Sequence, residues 1–190
     1  LNLTDPVAGD AMLAGGHVAT AGEVKGDLVA AGGEVSIGGS VGDDLYVAGG
    51  DVQVDAIVAG NARVAGGDVA LGPATTIAGG LSLTGGRIRF EGNAQEYLKA
   101  SGASVRVDGV VRGDAEVHAE EVEIGPNTRI DGKLVVHSAR EPALPEGAQI
   151  AGGIEFHQTD VGDYVDEHEN ARDVHTVAHG VGSFLWMLGV

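Results

Sequence analysis

The sequence predicts an all-β chain, a single-stranded parallel β-helix (β-solenoid) of about 17 residues per coil, followed by a short C-terminal helical tail. Three observations lead there: a repeat of fixed period, an apolar/polar alternation inside each repeat, and a glycine pair at the same point of most repeats. The repeat is plainest from Leu28 to Gly72, where LVAAGGEVSIGGSVGDD, LYVAGGDVQVDAIVAGN and ARVAGGDVALG follow one another. Aligned on the first apolar position, the copies start at Ala11, Leu28, Leu45, Ala62, Leu81, Leu98, Ala115, Leu134 and Ile154, in steps of 17, 17, 17, 19, 17, 17, 19 and 20. Self-similarity at such a period is the mark of a stacked architecture.

Inside a coil, alternations such as Leu45-Tyr-Val47 and Val52-Gln-Val54 have the period of two expected of strands with one buried face. About three short strands fit in each coil. The glycine pairs Gly32-Gly33, Gly49-Gly50, Gly66-Gly67 and Gly85-Gly86 fall between the first two, where they are expected to supply the positive φ of a sharp corner. One coil cannot close a core, but stacked coils can, each strand pairing with its copy roughly 4.8 Å away.

The interior then reads as three ladders. Val18, Val35, Val52, Val69, Ile88, Val105 and Val122 line one wall, and Val7, Val24, Val41, Val58, Ile77, Ala94, Val111, Ile130 and Ile150 line a second. Leu28, Leu45, Leu81, Leu98, Leu134 and Ile154 line the third. Phe90 stands where Ile37, Val54, Leu71 and Val107 stand elsewhere, and the facing slot of its coil holds the smaller Ala94, which conserves interior volume. The long steps arise where Leu71-Gly-Pro-Ala-Thr-Thr-Ile77 and Ile124-Gly-Pro-Asn-Thr-Arg-Ile130 separate apolar positions by six residues rather than the four of Ile37 to Val41. Leu144-Pro-Glu-Gly-Ala-Gln-Ile150 repeats the device. About eight complete coils make a column some 40 Å long. Left-handed β-helices favour a strict hexapeptide unit, so a 17-residue coil without one favours the right-handed form.

Composition narrows the function classes. Glycine is 33 of 190 residues with only 5 prolines and 43% hydrophobic residues, which suits a narrow aliphatic column better than a disordered or collagen-like chain. Cysteine is absent, which excludes disulfides and thiolate metal sites. The net charge of −17 repels phosphate backbones and excludes nucleic acid as the expected partner.

Residues 1–158 form the β-helix domain, 159–182 an acidic, histidine-bearing linker or helix, and 183–190 the start of an apolar helix. That last run, including Phe184, Leu185, Trp186, Met187 and Leu188, reads as the first turns of a membrane anchor, with a capping helix as the alternative. At the other end Leu1, Leu3 and Val7 continue the ladders, and the missing leader is expected to reflect a cleaved signal peptide or a trimmed chain.

The motif Val41-Gly-Asp-Asp-Leu-Tyr-Val-Ala-Gly-Gly-Asp-Val52 resembles the bactofilin and polymer-forming cytoskeletal protein superfamily, especially long, glycine-pair-rich members with a leader and C-terminal membrane segments. The resemblance covers roughly residues 3–157. It implies a right-handed β-helix, nucleotide-free end-to-end polymerisation, a scaffolding role at the cell envelope and no catalysis.

Few residues are arranged for chemistry, and neither a cofactor nor a catalytic residue is expected. His118, His137 and His157 are each the fourth residue of their coil and are expected to stack on the outer surface. They are read as an exposed ladder, with metal ligation as the alternative. The lesser possibility of a metal-dependent enzyme resembles γ-class carbonic anhydrases, whose histidines, unlike these, meet across a trimer face. His168, His175 and His179 would share a helix face beside Asp166, Glu167, Glu169 and Asp173, read as an ordinary polar stretch. Asp51 and Asp68 faintly suggest calcium-binding repeats, but the period is wrong and a solvated acidic stripe is expected.

The expected function is therefore a rigid, non-catalytic rod at the cell envelope, membrane-associated through its C-terminus and more in keeping with an extracytoplasmic than a cytoplasmic location. Its expected partner is itself, end to end, through Leu1, Leu3 and Val7. The alternative is an accessory subunit of a membrane protein complex, contacted through the basic cluster Arg87, Arg89, Arg106 and Arg112.

Overall fold

The structure is a computed structural model and describes residues 1–159. Leu1–Thr159 form one compact unit, and the expectations for the acidic stretch, its histidines and Phe184 to Leu188 lie outside the described residues. The unit is all β, a single 16-stranded sheet in which every pairing is parallel and each strand meets its copy from the neighbouring coil. Three walls result, described for the coil that starts at Leu45: Leu45 to Gly49, Asp51 to Val54, and Ile57–Val58. No helix among the described residues is long and apolar enough to cross a membrane.

The ladders hold residue for residue. Leu28 pairs with Leu45, Leu45 with Ala62, Ala62 with Leu81, and the column continues through Leu98, Ala115 and Leu134 to Ile154. The second-wall valines and the third-wall series from Val7 to Ile150 do the same. Parallel in-register pairing forces like over like, and the alternation turns one set inward, so that Val54, Val58, Ile77, Leu81, Phe90 and Leu98 are all 0% exposed. Phe90 and Ala94 are both buried, as the volume argument requires. The Phe90 ring reaches toward the next coil, where a Cβ at Gly109 would lie 3.0 Å from it.

The glycine pairs do their work differently from the expectation. Positive φ occurs only at Gly39, Gly147 and Gly153 among the described residues, and none of these belongs to a pair at the first corner. What the pairs permit is close approach. A Cβ on Gly33, Gly50, Gly67 or Gly86 would lie 2.8–2.9 Å from the carbonyl oxygen of the glycine one coil below. The bend presses backbone on backbone there, and a hydrogen side chain avoids the collision. Ala103 and Glu120 take the second-glycine slot in two later coils, so the constraint is relaxed toward the C-terminal end.

Two further devices close the corners. Residues that precede a coil start form a chain of backbone caps: Asp27 N–H donates to Asp10 Oδ1 (3.0 Å), Asp44 N–H to Asp27 Oδ1 (2.8 Å), Asn61 N–H to Asp44 Oδ1 (2.7 Å) and Gly80 N–H to Asn61 Oδ1 (3.0 Å). Each carboxylate accepts from the coil above, which lets aspartate stack on aspartate. At the wide corners, Thr75 and Thr128 are buried, and their hydroxyls donate to Val54 O (2.6 Å) and Val107 O (2.7 Å). Those carbonyls also accept from Gly72 N–H and Gly125 N–H, so both lone pairs are used.

The third wide corner departs from the other two. Leu144 is 54% exposed, whereas Leu71 and Ile124 are buried. Pro142 and Pro145 cannot donate to a ladder, and no strand forms between Ser138 and Gln149. The second wall therefore stops one coil before the third and two before the first.

Thr75→Val keeps the side-chain shape and removes one donor to Val54. It is expected to cost about 1 kcal/mol in urea unfolding, and Thr75→Ser less.

Candidate functional site

On the first wall, the second and fourth residues of each coil point outward. The fourth-residue column runs Ala14, Ala31, Ala48, Ala65, Thr84, Ser101, His118, His137, His157. The expected ladder is therefore present. His118 and His137 stack with ring centroids 4.1 Å apart and planes 4° from parallel; His137 and His157 stack at 4.7 Å and 14°.

The second-residue column supplies partners that periodicity alone did not bring forward. His118 Nε2 lies 3.0 Å from Glu116 Oε1, and His157 Nε2 lies 3.0 Å from Glu155 Oε1. Lys99 sits 3.3 Å from Glu116 Oε2, and Lys133 Nζ donates to Glu155 Oε2 at 2.8 Å. In the middle coil the equivalent residue is Val135, and His137 has no hydrogen-bond partner among the described residues. Glu116, His118 and His137 place one ligand atom each within 4.8 Å of one another.

These contacts shift three protons. Burial, then repulsion from His118 and His157, holds His137 below the ordinary histidine range, against the pull of Glu116 and Glu155. The Glu116 carboxyl is held low by its hydrogen bond with His118 and then by that with Lys99. Glu155 is held low by Lys133 and then by His157.

The arginines do not form one basic surface. Arg89 and Arg106 are register neighbours on the second wall, and Arg87 lies on the same strand as Arg89. Arg112 follows the third-wall strand Val110–Val111. Arg87 pairs with Asp68 at 2.6 Å, Arg106 with Glu123 and Asp108, and Arg112 with Asp131 at 3.0 Å. Arg89 has no ion-pair partner among the described residues, and it borders an open groove of about 610 Å³ along the second wall, lined also by Glu34, Ser36, Asp51 and Gln53. Asp51 and Asp68 stand in register with Glu34 and Arg87 in an exposed, mixed-charge stripe. At the N-terminal coil Leu1 is 61% exposed, while Leu3 and Val7 are half-buried against the core.

Compared with protein-family models, curated proteins and solved structures, the chain matches none.

A histidine with a pKa lowered by folding takes its proton more readily in the unfolded chain, so His137 favours the fold above about pH 6.5 and the benefit is lost as pH falls through that range. The lowered glutamates keep their contribution until pH drops below their unfolded values near 4.3. Urea midpoints measured from about pH 8 to about pH 5 are expected to fall, and to fall less in His137→Ala.

Proposed function

We propose that this protein is a non-catalytic structural element, a stiff β-helical rod that assembles by adding one copy's terminal coil to another's. The observation that supports this most directly is the translational self-similarity of the column. Each coil presents to the next the same backbone ladder, the same apolar slots and, from Asp10 to Gly80, the same side-chain cap. A surface that matches its own copy along the axis is suited to a second chain as well, and it joins head to tail. Leu1, Leu3 and Val7 would be the contact at one end, with the half-buried Ile150, Ile154 and Phe156 at the other.

The resemblance to bactofilins supports the same reading and adds a scaffolding role at the cell envelope; we place the rod outside the cytoplasm, anchored through the apolar run Phe184 to Leu188. The accessory-subunit reading is less well supported. Arg87, Arg106 and Arg112 spend their charge on acids of this chain, which leaves Arg89 and its groove as the contact for a membrane protein partner.

Electron microscopy and sedimentation of the full chain across a salt series are expected to show linear multimers, and Leu3→Asp combined with Val7→Asp is expected to shorten them while Arg89→Glu leaves them intact. Monomers under every condition would sink the assembly reading; a stoichiometric membrane partner lost on Arg89→Glu would favour the other.

A further inference from the structure

We propose that Glu116, His118 and His137 form a binding site for a divalent transition-metal ion of the zinc class, on the outward face of the first wall. The site is independent of end-to-end assembly, since it lies on the side of the column.

Placement comes from the backbone. Parallel pairing sets His118 over His137, and the pleat sets Glu116 two residues before His118 on the same face. The ligand atoms lie within 4.8 Å of one another. Around a tetrahedral ion with bonds of about 2.1 Å they would stand roughly 3.4 Å apart. The remaining contraction is small. As stacked, the two imidazole planes lie 4° from parallel, and turning one ring about its terminal side-chain bond brings a nitrogen of each toward a shared point. The exposed position of His118 allows such a turn, a motion of picoseconds to nanoseconds for surface side chains.

Two details favour a ligand over an idle stack. His137 has two ring nitrogens and no hydrogen-bond partner among the described residues, because Val135 replaces the glutamate that the coils on either side supply. Lys99 engages Glu116 Oε2 while Oε1 faces His118, so the lysine fixes the carboxylate with one oxygen directed at the site, as residues behind metal ligands do. His157 with Glu155 repeats the His118 and Glu116 pair on the far side of His137, outside the converging set.

Two imidazoles and one carboxylate suit zinc, nickel or copper and not magnesium or calcium, which prefer oxygen throughout. A fourth position stays open. A recess of about 240 Å³, bordered by Ser82, Thr84, Lys99 and Ser101, lies beside Glu116 and His118 with room for water. Protons compete with the metal for the same nitrogens, so affinity is expected to fall as the solution is made acidic.

The experiment is calorimetric titration of the full chain with zinc chloride. Histidines 168, 175 and 179 could bind zinc separately, so a variant with all three replaced by alanine is the reference. In it one equivalent of zinc is expected to bind, about tenfold or more weaker after His118→Ala or His137→Ala, and unaffected by millimolar magnesium chloride. Alanine already fills this slot at Ala14, Ala31, Ala48 and Ala65, and circular dichroism is expected to show the variants folded. Imidazole NMR signals of His118 and His137 are expected to shift together on adding zinc. Equal affinity in the reference and in His137→Ala, or zinc binding that disappears when only the three later histidines are replaced, overturns the proposal.

Discussion

The rest of this structure follows from one constraint: the strand amides of a coil bond to the coil beside it, so neighbouring coils stand a single strand spacing apart. At that distance a side chain has no freedom to choose its neighbour along the axis. It meets the residue one repeat away, as Val35 meets Val52 and Leu81 meets Leu98. Aliphatic residues satisfy this easily, which is why the interior is almost wholly valine, leucine, isoleucine and alanine.

Charged residues satisfy it less easily. Asp10, Asp27 and Asp44 would repel one another in a bare column, and the structure resolves this by turning each carboxylate onto a backbone N–H of the coil above. At some other positions unlike charges meet, as where Arg106 meets Glu123 and Arg112 meets Asp131. The histidines use a third solution, stacking as aromatic faces, with carboxylates beside the outer two.

The parts of this fold that repeat were legible in the sequence, because a period exposes every buried ladder at once; Ala94 opposite Phe90 could even be read as a compensation. The parts that depend on atomic approach were not. The glycine pairs looked like turn formers, yet they serve backbone contact across coils, a distance that no one-dimensional pattern encodes. Thr75 and Thr128 had no role of their own in the sequence pattern, although their fixed place after Gly-Pro was a visible signal. Leu144 looked like its counterparts, and the two prolines around it were the warning. Of the candidate site, the histidine column was legible from spacing. Glu116 was not, because its role depends on which face of a pleat two neighbouring columns share.

The two wide corners at Gly72 to Thr75 and Gly125 to Thr128 have a consequence for how such a chain can change. Extra residues leave the column at the same edge each time, and the core closes behind them on a threonine. The rod therefore has a seam along which sequence can be inserted without disturbing the winding. Corners three coils apart fall roughly 14 Å apart along it, so grafted loops would be displayed like marks on a ruler.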